Sequence, residues 1–187
     1  MGLFTWFTPR TGPDRRLAAW RAAWTLAAAE PGAGAAAALR ERLEALRLPE
    51  DEIEVEREML EGLNAAAELA RTLDAAGLPA IATGHRIVGR DVCHFTAPAS
   101  MPDDPLQPSG RLILTGARAI FVGGRGLTVP WHTVDEARHT ARDLLLVGHG
   151  AGSVSRFRCN SFADAMCAAL LARRILRERG VRTPGAL

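Results

Sequence analysis

The stretch "GRLILTGARAIFVGGRGLTVPWHTV", residues 110–134, decides the fold of this chain. It contains the short apolar runs "RLILT", "RAIFVG" and "LTVPW", separated by the connections "TGA" and "GGRG". Runs of about four to eight residues bounded by turn residues are typical of β-strands, and antiparallel hairpins use short Gly-rich connections. The stretch therefore predicts an antiparallel sheet, with Trp131 in its core rather than on a stacking platform for a ligand.

A phosphate-binding loop is the alternative interpretation of "GGRG" and of "GHGAGS" (148–153). Neither matches the pattern GxxxxGK[ST], and the chain contains no Lys to complete it. Neither is followed by a predicted helix whose N-terminus could hold a phosphate. Hairpin turns therefore explain both segments better.

Similar β-type runs lie on both sides of the opening stretch. "RDVCHFTA" (90–97) precedes it, and "TVDEARHT", "DLLLVGH" and "SVSRFRC" follow it, which gives about seven strands with local connections. Residues 160–180 then predict an amphipathic helix capped by Asn160 or Ser161, with arginines in its last turn. Its predicted stripe contains Phe162, Met166, Ala169, Leu170, Arg173 and Leu176.

The front of the chain has helical periodicity instead. Three helices are predicted, over residues 13–30, 35–48 and 49–76, and Gly77 is the expected C-terminal cap of the third. Trp20 and Trp24 are interpreted as packing residues, with anchoring to a partner or a membrane as the alternative. The pattern changes after Pro79, so we divide the chain into a helical N-terminal region, 1–79, and a second domain, 80–187.

The second domain resembles the pleckstrin-homology-like (PH-like) superfold, in its bacterial and GRAM-like forms. "GRLILTGARAIFVGG" looks like the G-x-L-x-L-T-x-x-R-x-x-F strand pair of those domains. "VPWHTVDEAR" is similar to their strand with an I/V-x-x-V-like turn, and "FRCNSFADAMCAALLARRI" resembles their last strand and capping helix. The resemblance covers about residues 80–180. It implies an α+β protein in which helices precede an antiparallel β-barrel of about seven strands, closed by the C-terminal helix.

The charges of the chain are unevenly distributed. All 23 basic residues are Arg, and the formal net charge is +2. Residues 40–76 hold 11 acidic residues against 5 arginines, whereas residues 77–187 hold 14 arginines against 8 acidic residues. An acidic helix (50–76) beside a basic domain suggests two modules that face each other, although ordinary solvated faces give the same pattern. Two arrangements fit the sequence: the helix packs on its own barrel, or it packs on another chain. The sequence is also compatible with a homo-oligomer.

The composition indicates a cytoplasmic protein. The chain has three Cys and no CxxC, which favours neither a disulfide framework nor a zinc site. The N-terminus lacks the basic and long apolar regions of a secretory signal, and no window predicts a membrane span. We therefore expect a bacterial cytoplasmic protein, with peripheral association with a membrane as an open alternative.

No catalytic signature is present. Cys93 and His94 are adjacent on a predicted strand, where successive side chains point to opposite faces, so they do not form a dyad. Ser153 and Ser155 lie in no nucleophile elbow, and the five His show no metal-ligand spacing. We expect no enzyme activity, no catalytic residue, no metal and no cofactor.

Two groups of residues are candidate contacts. Arg111, Arg118 and Arg125 flank the predicted hairpins and could bind an anionic ligand, since the resemblance implies basic residues at lipid headgroups, but solvated hairpin charges are the alternative. Leu3, Phe4, Trp6 and Phe7 could contact a membrane or a partner, or pack on the domain itself. The few aromatic residues on the strands argue against nucleic acid as a partner.

The sequence therefore predicts a non-enzymatic interaction or scaffold module that binds a protein or peptide partner. The contact surface would be an exposed sheet edge or the groove beside the C-terminal helix. The alternative is a peripheral binder of anionic lipid headgroups that uses the barrel arginines and the N-terminal aromatic segment.

Overall fold

The computed structural model describes residues 12–150 and 153–180. Three helices come first, α1 (Gly12–Ala29), α2 (Ala35–Glu44) and α3 (Glu54–Ala76). Seven strands follow, and α4 (Phe162–Glu178) comes last. This order confirms the mixed α+β class, with helices first, an antiparallel sheet next and a C-terminal helix at the end.

The helices begin and end close to the predicted residues, with one difference. α2 was expected to continue to residue 48 and α3 to begin at 49, but a 3-10 turn, Glu50–Glu52, lies between them. Arg47 has a φ of 52° and Ile53 a φ of −122°, so neither can continue an α-helix. Gly77, with a φ of 76°, ends α3 as predicted.

The tryptophans of α1 pack inside the helical layer. Trp20 is 1% exposed and its Nε1 donates a hydrogen bond of 2.8 Å to the carbonyl of Leu39 on α2. Trp24 is 4% exposed and donates one of 2.7 Å to the carbonyl of Met59 on α3. A buried indole needs a partner for its N–H, and each Trp finds one on a neighbouring helix. The prediction that they are packing residues is confirmed.

The strands form one antiparallel sheet in the order β4-β3-β2-β1-β7-β6-β5. They are β1 (Cys93–Ser100), β2 (Ser109–Thr115), β3 (Arg118–Val122), β4 (Leu127–Pro130), β5 (Val134–Thr140), β6 (Asp143–Gly148) and β7 (Val154–Cys159). A 3-10 turn, Trp131–Thr133, separates β4 from β5, and these two strands are the edges of the sheet. The resemblance implied a barrel, whereas the hydrogen bonding of the described residues leaves the sheet open.

The glycines of the opening stretch serve turns and close packing. Gly124 and Gly126 have φ values of 54° and 70° in the turn between β3 and β4. A Cβ on Gly110 would overlap the carbonyl oxygen of Val122 on the paired strand. Trp131 is fully buried, and its Nε1 donates a hydrogen bond of 2.7 Å to the carbonyl of Thr115. The stretch is a sheet with tight turns, as predicted.

Helix α4 belongs to two hydrophobic cores. Its Ala168, Ala172 and Ile175 pack with buried side chains of the sheet such as Leu112 and Phe157. At its beginning, where the hydroxyl of Ser161 accepts a hydrogen bond of 3.0 Å from the N–H of Asp164, Phe162 and Met166 pack with the N-terminal helices. α4 therefore joins the helical layer to the sheet and places the groove described next.

Candidate functional site

The three arginines predicted to bind an anion do not form one site. Arg111 pairs with Val122 across the β2–β3 hairpin, so Arg118 lies four positions along β3, roughly 13 Å away at about 3.3 Å per residue. Arg118 is already engaged, with Nε 3.3 Å from the carboxylate of Asp91. Arg111 donates a hydrogen bond of 3.3 Å to the hydroxyl of Thr96. Arg125 is exposed in the β3–β4 turn, at the Arg111 end of the sheet.

The second predicted group, Leu3, Phe4, Trp6 and Phe7, lies outside the described residues. Its role in contacting a membrane or a partner stays a prediction from the sequence. The structure does contain a groove beside the C-terminal helix, which the sequence analysis gives as a candidate contact surface without naming its residues.

Two adjoining cavities lie beside α4. The larger, about 530 Å³, lies between α4, α3 and the turn that follows α1. Its lining residues are Ala29, Glu30, Pro31, Gly32, Ala70, Leu170, Arg173 and Arg177. The smaller, about 350 Å³, lies between α4, the end of α1 and β5, and includes Trp24 and His139. Arg173 and Ala29 line both cavities, and we call the two together the α4 groove.

Arg173 is a half-buried cation that forms no ion pair with a carboxylate of the described residues. Its Nε donates a hydrogen bond of 3.3 Å to the carbonyl of Ala169, and its Nη1 donates one of 3.4 Å to the carbonyl of Ala29. Burial lowers the pKa of its guanidinium, and the charge of Arg177 lowers it further, while Glu136 acts in the opposite direction. Guanidinium groups nevertheless stay protonated in proteins, so the charge remains.

Three other half-buried arginines of the described residues form ion pairs: Arg118, Arg156 and Arg174. Arg111 is half-buried too and, like Arg173, forms none. Nine arginines form ion pairs with Asp or Glu, and Arg173 is not among them. Arg177 lies four residues further on α4, on the same face, and also forms no ion pair within the described residues. Removing a charge from water is costly unless an opposite charge compensates it. Among the described residues, Arg173 and Arg177 therefore give the α4 groove more positive charge than its one lining carboxylate, Glu30, can balance.

His139 lines the smaller cavity and holds a buried, unsatisfied acceptor. Its Nε2 lies 3.2 Å from the carbonyl of Ala28, and because a carbonyl can only accept, Nε2 carries the proton. Burial lowers the pKa of His139; the Ala28 carbonyl raises it and Arg173 lowers it. The imidazole is therefore neutral near pH 7, and its Nδ1 is buried without a partner in the described part of the chain. The ring also meets Trp24 edge-on, 6.4 Å between centroids.

These two side chains also cap the end of α1. The last turn of α1 holds no basic residue, although helix carbonyls there need partners and favour positive charge. His139 from β5 and Arg173 from α4 supply the missing donors to Ala28 and Ala29. The contacts span 111 and 144 residues of sequence, so no local pattern could have predicted them. The one available signal was Arg173 itself, an arginine within the predicted apolar stripe of α4.

The three cysteines of the chain, all within the described residues, have thiols with raised pKa values. Burial raises the pKa of the Cys159 thiol to about 12 and that of Cys167 to about 11, and it also raises that of Cys93. A nucleophilic cysteine needs the opposite shift, because the thiolate is the reactive form. No cluster of three or more His, Cys, Asp or Glu suited to a metal occurs in residues 12–150 and 153–180.

Comparisons with known proteins leave the groove to be interpreted from its own chemistry. No protein-family model matches this chain, and no curated protein matches it. Among the described helices, none combines the length and the apolar character that crossing a membrane requires.

Proposed function

We propose that this chain is a non-enzymatic interaction module that binds a protein or peptide partner in the α4 groove. The architecture supports a PH-like assignment: an antiparallel sheet of seven strands is covered by a C-terminal helix, although β4 and β5 are not hydrogen-bonded to each other. Three free thiols fit a bacterial cytoplasmic setting. Grooves beside a helix are one of the recurring ways in which folded domains recognise peptides.

The observation that carries the proposal is the unpaired charge of Arg173. The same guanidinium lines both cavities of the groove, and its protein partners are two carbonyls. Beside it, Leu170, Ala70 and Pro31 provide half-buried, mostly apolar lining. A mostly apolar groove with a few polar groups is the usual composition of a binding site.

A groove-filling variant tests the proposal. Peptides would be selected from a random library on the full chain, and their affinity measured by fluorescence anisotropy. Ala70→Trp places a large ring in the larger cavity, whereas Ala75→Trp places it on an exposed position of the same helix, away from the groove. We expect binding to be lost in Ala70→Trp and kept in Ala75→Trp. Selected peptides that bind both variants equally would contradict the proposal.

Association with an anionic membrane is the second candidate, and a specific observation favours it. Leu106, 77% exposed in the β1–β2 loop, and Arg125, exposed in the β3–β4 turn, lie at the same end of the sheet. Pro108 and Gly124 bring these two segments into contact. An apolar side chain beside a cation is a common membrane-surface arrangement. The negative charges of the neighbouring Asp103 and Asp104 weaken the attraction of this loop to an anionic membrane.

Co-sedimentation with vesicles tests this candidate. Vesicles of phosphatidylserine and phosphatidylcholine should pellet the chain at low salt, and Arg125→Gln should reduce the pelleted fraction because surface attraction depends on cationic residues. Arg47→Gln, an exposed arginine remote from this loop, is the matched control. Absence of pelleting at low salt rejects membrane binding and leaves the groove proposal standing.

A further inference from the structure

The charges that line the α4 groove do not balance. Arg138 lines its smaller cavity but pairs with Glu136 at 2.7 Å. Arg173 and Arg177 remain, against the single carboxylate of Glu30 among the lining residues. An occupant with at least one negative charge would neutralise this excess, and a guanidinium binds carboxylates through paired hydrogen bonds.

A peptide suits the groove better than a free anion. The lining near Arg173 includes the half-buried side chains of Leu170, Ala70 and Pro31, which a phosphate or a simple carboxylate would leave uncovered. A peptide carries apolar side chains next to its acidic ones and can cover this lining while it balances the charge.

Taking the groove as the binding surface, as proposed above, we infer that its occupant is an acidic peptide segment. An Asp or Glu carboxylate of the segment binds Arg173 and Arg177. Nη2 of Arg173 is the nitrogen that can donate to the carboxylate, because Nε and Nη1 already donate to the carbonyls of Ala169 and Ala29. The two adjoining cavities suit an extended chain that passes over Ala29.

The first arm of the test uses the peptides selected on the full chain. Among binders that are lost in Ala70→Trp, we expect enrichment of Asp or Glu at one position. Replacing that residue by Asn or Gln should weaken binding about tenfold or more, the size of a lost charge-assisted hydrogen bond. Arg177→Gln should cause a similar loss. Arg174→Gln is the matched control, because Arg174 pairs with Glu178 and lines neither cavity.

The outcomes separate this inference from the proposed function. Two results overturn the acidic ligand and leave the interaction module in place. One is a set of groove-dependent binders without enrichment of Asp or Glu. The other is a selected peptide whose Asn or Gln variant binds equally well. Arg177 keeps the test independent of folding, since its side chain is exposed and holds no ion pair among the described residues.

The second arm needs no peptide. Sodium acetate and inorganic phosphate are titrated at constant ionic strength, and the Nε–H resonance of Arg173 is followed by NMR. A saturable shift with acetate that is lost in Arg177→Gln supports the carboxylate site. If this shift is seen but no peptide is selected, the proposed interaction module fails while the carboxylate site stands. No saturable shift with either anion overturns the inference. A shift with phosphate but not acetate overturns the carboxylate in favour of a phosphoryl group.

Discussion

Two groups of arginines in this molecule differ in how their charge is balanced. On β7, Arg156 and Arg158 share the buried carboxylate of Asp143, at 2.6 Å and 2.9 Å, and Asp103 lies 3.5 Å from Arg156. On α4, Arg173 and Arg177 share no carboxylate in the part of the chain described by the structure. The first group has its counter-charges within the fold and is structural. The second forms no ion pair with a carboxylate of the described residues.

The same difference predicts responses of different size to mutation. Burial alone would raise the pKa of Asp143, but hydrogen bonds from Arg158 and Arg156, together with their charges, lower it. The native cluster therefore prefers the charged carboxylate and loses stability when that charge is removed. Neutralising Arg173 removes a half-buried charge together with two hydrogen bonds to carbonyls, so a small net change is expected.

The largest effect is expected for Asp143→Asn. The substitution leaves two arginines without their shared partner, and because these arginines are 33% and 52% exposed we expect a cost of about 2 kcal/mol, below the range for fully buried pairs. Chemical denaturation measures it. Glu50→Gln, which removes an exposed pair with Arg57, is the control and should leave the midpoint unchanged. Equal midpoints for both variants would contradict the structural role of Asp143.

An intermediate effect is expected from pH. His139 has a pKa below its ordinary 6.5 in the folded chain, so the unfolded chain binds more protons between these two values. Stability is therefore full above about pH 6.5 and falls as the pH drops toward the folded pKa of His139. Asp143 has a lowered pKa too, but its contribution is lost only below its ordinary 3.8.

Unfolding of the wild type and of His139→Gln, measured between pH 7.5 and 5.5, tests this assignment. The Gln side chain can still donate to the carbonyl of Ala28 but has no charge to gain. We expect a smaller loss of stability in the variant. Parallel curves across this range would show that His139 does not contribute to the acid sensitivity.

A smaller effect on stability is expected for Arg173→Met. The variant loses two long hydrogen bonds to carbonyls and is relieved of a half-buried charge, so the two contributions oppose each other. We expect a change of about 1 kcal/mol or less, in either direction, by the same denaturation assay. A loss as large as that of Asp143→Asn would place Arg173 among the structural arginines and remove the contrast between the groups.

The smallest effect is expected for Arg177→Gln. Its exposed side chain has no ion pair within the described residues, so the melting temperature should match that of the wild type. Differential scanning fluorimetry at two salt concentrations measures this. A clear decrease in the melting temperature would indicate an undetected structural partner for Arg177.

Local patterns predicted the elements of the fold well because turns and periodicity are local properties. The seven strands, the end of α3 at Gly77 and the cap at Ser161 all follow from short sequence signals. The open sheet does not, since pairing between β4 and β5 depends on the turn Trp131–Thr133 and on how far the sheet curves. The resemblance to PH-like domains implied a closed barrel, but the closure of a barrel is not a property of any short stretch of sequence.

The candidate site was harder to predict for the same reason. Arg111, Arg118 and Arg125 are close in sequence, but the strand register places Arg118 at the opposite end of the hairpin from the others. The α4 groove joins the end of α1 to His139 on β5 and Arg173 on α4, at separations of 111 and 144 residues. Arg173, an arginine within an apolar stripe, was its one visible sign in the sequence.

The position of α4 in two cores has a consequence for how the chain is made. The helical layer needs Phe162 and Met166, and the sheet needs Ile175, so neither core is complete until α4 has left the ribosome. Although domains commonly fold in order during synthesis, here the core of the first three helices is completed only by residues of α4. A nascent chain that ends before α4 should expose both apolar surfaces at once and depend most on chaperones at that length.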